Sequence, residues 1–225
     1  MAFDVTDAKA LGLFLETIVF LKAVAHSFVI ILATVISTFF LSGLVAFQAV
    51  AAPKVIVDND RVNVQEVVWD AQNSGAKHTL DTLTIALTGQ VGKVAFEPKG
   101  SAHVGEIGGR SIVIALKDHP VAPLANKSGL PNAFPRPGSK KQFENNRIVV
   151  WDYSWTPGQP SPIHFHDKDV VVVYLENGAL KSTTQDGKSV VNDISFGLTK
   201  FNPRDRSHTE EVVKGKARAV MMELK

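Results

Sequence analysis

Two textures divide the chain. From Ala23 to Pro53 there is no Lys, Arg, Asp or Glu, and Ser27 to Phe47 (SFVIILATVISTFFLSGLVAF) is almost wholly apolar. Past Pro53 the pattern changes to short β-branched runs broken by Gly, Asn and Asp, such as Val170 to Leu175 (VVVVYL) before Glu176-Asn177-Gly178. Such runs predict strands joined by hairpin turns. Further turn signals stand at Asp186-Gly187, Asn192-Asp193, Asn202-Pro203 and Lys214-Gly215-Lys216. A spacing of about ten residues suits a sandwich or barrel of antiparallel strands, and no helix-period segment interrupts it.

The apolar run reads as a membrane-directed helix, since about twenty such residues span roughly 30 Å, the hydrocarbon thickness of a bilayer. It ends in Gln48-Ala49-Val50-Ala51-Ala52-Pro53, where Ala49 and Ala51 form the A-x-A pattern of a signal-peptidase site. Cleavage after Ala51 predicts an exported protein, periplasmic or extracellular. The run is long for a signal peptide, and the charges before it (Asp4, Asp7, Lys9, Glu16, Lys22) sum to minus one. An uncleaved anchor, with the membrane as partner, is therefore the alternative for residues 1–52.

The remainder is written twice. At an offset of 86 residues, Val57 to Asp81 lies on Phe143 to Asp167 without a gap. Asn59 coincides with Asn145, Arg61 with Arg147, Trp69 with Trp155, His78 with His164 and Asp81 with Asp167. This pattern predicts a duplicated β unit, its first lobe over 53–117 and its second over 143–225. Residues 118–142 carry Pro120, Pro123, Pro131, Pro135 and Pro137 and read as a linker.

Composition narrows the function. Twenty-four basic residues against 22 acidic ones give a net charge of +2, too even for a protein that works by neutralising phosphates, so no nucleic-acid partner is expected. The absence of cysteine excludes disulfides, zinc ribbons and thiol nucleophiles. Histidine is left to do any soft-metal chemistry. His164 and His166 stand two apart on an expected strand and project from one face, and His208 follows a turn onto a later strand. Neutral imidazoles converging inside a small barrel can hold a divalent ion, whether iron, zinc, manganese, nickel or copper, with open positions for water or substrate.

The spacing around these histidines resembles the cupin family, whose first motif is G-x5-H-x-H-x3-4-E-x6-G and whose second is G-x5-P-x-G-x2-H-x3-N. The chain has Gly158-QPSPI-His164-Phe-His166 with Gly178 closing the first, and Gly197-LTKFN-Pro203-Arg-Asp205-Arg-Ser-His208 for the second. The resemblance implies an all-β fold, the cupin-type double-stranded β-helix or jelly-roll barrel, in two lobes behind an N-terminal hydrophobic helix. It implies a bicupin with a degenerate first lobe, one metal ion on His164, His166 and His208, and association into a homodimer through sheet packing.

Departures from the motifs are informative. Val171 stands where the family's metal-binding glutamate is expected, and Asp169 is the nearest carboxylate. Asp205 replaces a glycine and Val212 an asparagine. Asp167 and Asp169 are expected in a solvated turn or beside a histidine. In the first lobe His78 and His103 remain but Leu80 replaces the second strand histidine, so that lobe is expected to be structural and metal-free. Trp151, Tyr153 and Trp155 share one strand face, and Arg204 and Arg206 flank the turn into His208. These five are the candidates for binding a small-molecule ligand. The resemblance implies dioxygenase or isomerase chemistry. The alternatives are a non-catalytic ligand-binding module and a structural cupin.

Overall fold

The β-branched runs become strands because each has a face, or two, to bury. The computed structural model describes residues 52–103 and 106–225, which belong to one unit spanning 50–225. Residues 1–51, where the hydrophobic helix and its cleavage site are expected, lie outside the described residues. Among the described residues every regular element is a strand, and no helix is long and apolar enough to cross a membrane.

The C-terminal barrel is built from β7 (Ile148–Ser154), β8 (His164–His166), β9 (Asp169–Tyr174), β10 (Gly178–Thr184), β11 (Ser189–Ile194), β12 (Thr199–Asn202), β13 (Arg206–Gly215) and β14 (Arg218–Leu224). One sheet runs β11-β10-β13-β8. The other runs β12-β9-β14-β7 and is extended by β6 (Ser139–Glu144). The chain crosses from sheet to sheet as it proceeds, with β7, β9, β12 and β14 in one layer and β8, β10, β11 and β13 in the other. That is jelly-roll topology, in which two sheets wrap one core. Trp151, Tyr153, Val170, Val172, Leu180, Val212 and Met221 fill the space between them.

The run VVVVYL is apolar at every position because β9 is buried on both faces. Val170 and Val172 point into the barrel, while Val171 and Val173 point outward into a second core. That second core is covered by a sheet from the N-terminal half, formed by β1 (Lys54–Asp58), β2 (Val62–Val68), β3 (Thr82–Ala86), β4 (Val94–Glu97) and β5 (Arg110–Leu116) in the order β1-β2-β5-β3-β4. Val62, Val64, Leu83, Ile85, Ile112 and Ile114 are fully buried there, against Val150, Val171, Val220 and Met222. Each such side chain stabilises the fold by about 1.5–3 kcal/mol.

The N-terminal order repeats β6-β7-β14-β9-β12, and β2 falls on β7 at the 86-residue offset. The matching asparagines build matching turns: Asn59 Oδ1 accepts from the amides of Arg61 and Val62 at 2.9 and 3.0 Å, and Asn145 Oδ1 from those of Arg147 and Ile148 at 2.8 and 2.9 Å. The matching arginines reach across in opposite directions. Arg61 donates to Asp169 at 2.5 Å and to the Lys225 carbonyl at 2.9 Å. Arg147 donates to Asp81 at 3.1 Å and to the Lys117 carbonyl at 2.7 Å.

What the first half lacks is the other layer of a barrel. Residues 87–93 alone join β3 to β4, whereas residues 175–198 between β9 and β12 hold β10 and β11. The first lobe is therefore one sheet among the described residues, not a second closed barrel.

The proline-rich segment is more than a connection. Its last residues enter β6, and residues 131–133 lie along β8: the Phe165 amide donates to the Pro131 carbonyl at 2.9 Å and the Ala133 amide to the Phe165 carbonyl at 2.8 Å. Prolines suit this position, since a segment lying along a sheet edge need not supply every amide. Phe134 then stacks on Trp151 inside the barrel, ring centroids 5.2 Å apart.

Candidate metal centre

Strand periodicity and pairing bring the three histidines together. His164 and His166 point inward from β8, and antiparallel pairing with β13 sets His208 directly opposite His164. His164 Nε2 lies 3.2 Å from His166 Nε2, which lies 3.3 Å from His208 Nε2. All three side chains are buried. The turn into β13 places Asp205 at φ 64°, the left-handed conformation for which the family motif carries glycine, with its amide donating to the His166 carbonyl at 2.9 Å. Aspartate tolerates this region better than most side chains, so the replacement preserves the turn that delivers His208.

The electrostatics keep the rings neutral. Burial, and then the positive charge of Arg136, push the His164 imidazolium down to about 3. Burial also pushes His166 far below its ordinary value, with Arg206 adding to the effect. His208 is lowered by burial against an opposing pull from Glu210. His164 Nδ1 donates to the Pro162 carbonyl at 2.8 Å, so its Nε2 is the acceptor, and that nitrogen faces both the His166 ring and the Arg136 guanidinium that lies against it.

The spacing of the three nitrogens fits a divalent ion, for which Arg136 Nη1, in contact with His164 Nε2, has to move aside. Nitrogens about 2.0–2.1 Å from a tetrahedral ion stand about 3.3 Å apart, matching the two measured separations. His166 Nδ1 has no hydrogen-bond partner. The donor set is uncharged, as the replacement of the motif glutamate implies, although the inward positions of β9 are Val170 and Val172 while Val171 faces the other core. Asp169 does not substitute for it, because Arg61 and the Arg204 amide, the latter at 2.8 Å, occupy its two oxygens. Nor is Asp169 or Asp167 solvated. Both are buried, and Asp167 accepts from Lys168 at 2.8 Å.

Two charged residues without a sequence signal complete the surroundings. Arg136, buried, comes from the proline-rich segment. Its Nη1 lies against the His164 ring, 3.1 Å from Nδ1 and in contact with Nε2, while Nη2 donates to Glu210 at 3.2 Å. Its guanidinium carbon stands 4.1 Å from the centre of the Tyr153 ring. Glu210, two residues beyond His208 on the same face of β13, also accepts from Trp155 Nε1 at 3.1 Å and stands 3.8 Å from His208. Burial raises its carboxyl pKa, but Arg136 and the histidines outweigh this and hold it below the usual range. A motif search centred on histidine spacing passes over both, because Arg136 is distant in sequence and Glu210 falls at an unspecified motif position.

The other candidates fall in four places. Tyr153 and Trp155 pack edge to face at 4.4 Å inside the barrel and reach the triad through Arg136 and Glu210. Trp151 is further along the same core, its Nε1 donating to Glu223 at 2.9 Å. Arg206 pairs opposite His166, and its Nε donates to the Pro203 carbonyl at 2.5 Å. Arg204 turns away, donating to the Ala122 carbonyl at 2.5 Å.

No family model and no curated protein matches the chain. Solved structures similar to it include cupin proteins. A cupin domain from Bordetella pertussis is 29% identical over 40% of this chain and 97% of its own, with a TM-score of 0.37. A cupin 2 conserved barrel protein from Leptotrichia buccalis is 15% identical over 83% of this chain and 94% of its own, with a TM-score of 0.48. An oxalate decarboxylase is 10% identical over 74% of this chain and 69% of its own, with a TM-score of 0.45.

Proposed function

We propose that this chain is an exported or membrane-anchored cupin whose C-terminal barrel holds one divalent metal ion on His164, His166 and His208 and binds a small anionic molecule beside it. The observation that carries this reading is the convergence of three buried Nε2 atoms at 3.2 and 3.3 Å. When bound, the ion supplies Lewis acidity and open coordination positions. The rest falls to the chain itself. Burial keeps the imidazoles deprotonated and available, Arg136 adds a fixed positive charge that favours an anion, and Tyr153 and Trp155 exclude water around it. The reaction class is that of small-molecule dioxygenases or isomerases.

A second reading, a non-catalytic binding protein, is favoured by one observation. Glu210, 3.8 Å from His208, is already engaged by Arg136 and Trp155, so among the described residues no free carboxylate stands ready at the triad as a general base.

Elemental analysis of the full-length chain tests the site. His164→Ala is expected to lower the bound metal by one ion per chain. A folded wild-type protein that takes up no ion at the triad from iron, zinc, manganese, nickel or copper overturns the proposal. Turnover of small carboxylic acids, phenols and sugars by the loaded protein then separates enzyme from binder.

A further inference from the structure

The inner face of the N-terminal sheet, the counterpart of the barrel interior, gathers a second set of donors. Leu83 and Ile85 of β3 face the shared core, so Thr82 and Thr84 face the other way. Glu97, the last residue of β4, stands opposite Thr82. The segments carrying His78 and His103 are joined by backbone bonds, His78 N to the Ser101 carbonyl at 2.9 Å and His103 N to the Ala76 carbonyl at 3.3 Å. His78 Nε2 comes within 3.0 Å of one Glu97 oxygen and His103 Nδ1 within 2.5 Å of the other.

Several features distinguish this cluster from an ordinary histidine–carboxylate contact. One ligand atom from each of the three residues lies within 4.8 Å of the others. Their side chains are only 6–13% exposed. His78 Nε2 is close to Glu97 without the alignment of a hydrogen bond, and His103 Nε2 is buried with no hydrogen-bond partner among the described residues. Thr84 Oγ1 fixes the carboxylate with a 2.9 Å bond, and Trp69 stacks on the His103 ring at 3.6 Å. Burial raises the Glu97 carboxyl pKa, but hydrogen bonds from His103 and Thr84 outweigh it, so the group stays ionised. A cavity of about 420 Å³ adjoins the cluster, lined by Trp69, Thr84, His103 and Arg110 among others.

From this geometry we propose that His78, Glu97 and His103 form a second divalent-cation site, independent of the barrel triad and open toward the adjoining cavity. Two imidazoles and one carboxylate with free positions are a donor set for zinc or ferrous iron. The loss of a histidine at Leu80 argued for a metal-free lobe. Glu97 reverses that expectation by supplying the third donor from the neighbouring strand, and with it the negative charge that the barrel triad lacks.

Cobalt(II) serves as the probe, its uptake by the full-length chain measured by equilibrium dialysis with elemental analysis and folding checked by circular dichroism. The variant His164→Ala/His166→Ala/His208→Ala removes the barrel site and is expected to retain one cobalt ion per chain. Adding Glu97→Gln is expected to weaken the remaining binding at least tenfold. A folded triple variant that binds no cobalt overturns the proposal, as does unchanged binding after Glu97→Gln. If the triple variant does not fold, wild type is compared with Glu97→Gln and with His78→Gln at saturating cobalt. A loss of one ion per chain in a folded single variant supports the site, and equal content overturns it. Failure of the barrel proposal is read separately, as cobalt content that His164→Ala leaves unchanged.

Discussion

The two halves of this chain share one strand order and solve the problem of burial differently. In the C-terminal half, β10, β11, β13 and β8 close a layer over β7, β9 and β14, and the barrel holds its own core. In the N-terminal half the short β3–β4 connection leaves no room for counterparts of β10 and β11, and among the described residues the segments that match β8 and β13 share only the isolated bridge between Lys77 and Ala102. Its sheet buries its apolar face on the outside of the barrel, and its other face carries the donors of His78, Glu97 and His103. A sheet can thus lose half of a jelly roll and remain folded, provided another surface covers its hydrophobic side.

The reciprocal arginines offer the sharpest way to break this comparison. Arg61 and its partner Asp169 are both about 90% buried. Arg61→Ala strands a buried carboxylate and is expected to cost about 3–5 kcal/mol, measured by urea denaturation. A loss as small as that of a surface substitution would show that the first sheet contributes little to the barrel.

Ile114→Ala, at a fully buried position in the first sheet, is expected to cost about 2–5 kcal/mol. Because Ile114 shares a core with Val150, Val171 and Met222 of the barrel, the loss is expected within a single transition. Two separate transitions, followed by circular dichroism and tryptophan fluorescence, would mean that the halves fold independently.

Acidification acts on the barrel side. His164 is held at about 3 when folded, below its ordinary value of 6.5. Between these values the unfolded chain binds the proton and the native chain does not, so stability rises with pH and is lost as pH falls below 6.5. For His164 alone the metal-free protein is expected to lose about 2 kcal/mol between pH 6.5 and pH 5. His164→Gln should flatten that part of the urea-midpoint profile, and an unchanged slope would assign the effect elsewhere.

The smallest effect belongs to the other arginine. Arg147 and Asp81 are about a quarter exposed, and Arg147→Ala is expected to cost about 1 kcal/mol or less. Comparing its urea midpoint with that of Arg61→Ala measures how far burial separates two pairs whose arginines match in the repeat.

Much of this was legible in the residues. The β-branched runs and turn signals predict an all-β chain, and the motif spacing singles out His164, His166 and His208, whose rings converge in the fold. The offset of 86 aligns asparagines and arginines that do equivalent work. What stayed hidden depends on tertiary placement. Arg136 lies in a proline-rich stretch that reads as linker, because nothing local reveals that it docks along β8. Glu210 and Glu97 are single carboxylates on strands, and only the pairing of β13 with β8 and of β3 with β4 shows what they face. How many strands the degenerate first lobe keeps was hidden too, since strand count within a shortened repeat depends on connection length as well as on matched residues.

The exchange of Arg61 and Arg147 across the shared core has a further consequence. Two similar sheets pack face to face with reciprocal contacts, as the partners of a dimer do, but here one polypeptide supplies both. Residues 118–138 tether them, so docking is a unimolecular event at an effective concentration on the order of millimolar. Contacts too weak to hold two dilute chains together are sufficient under that constraint, and a sheet that opens locally finds the same surface again.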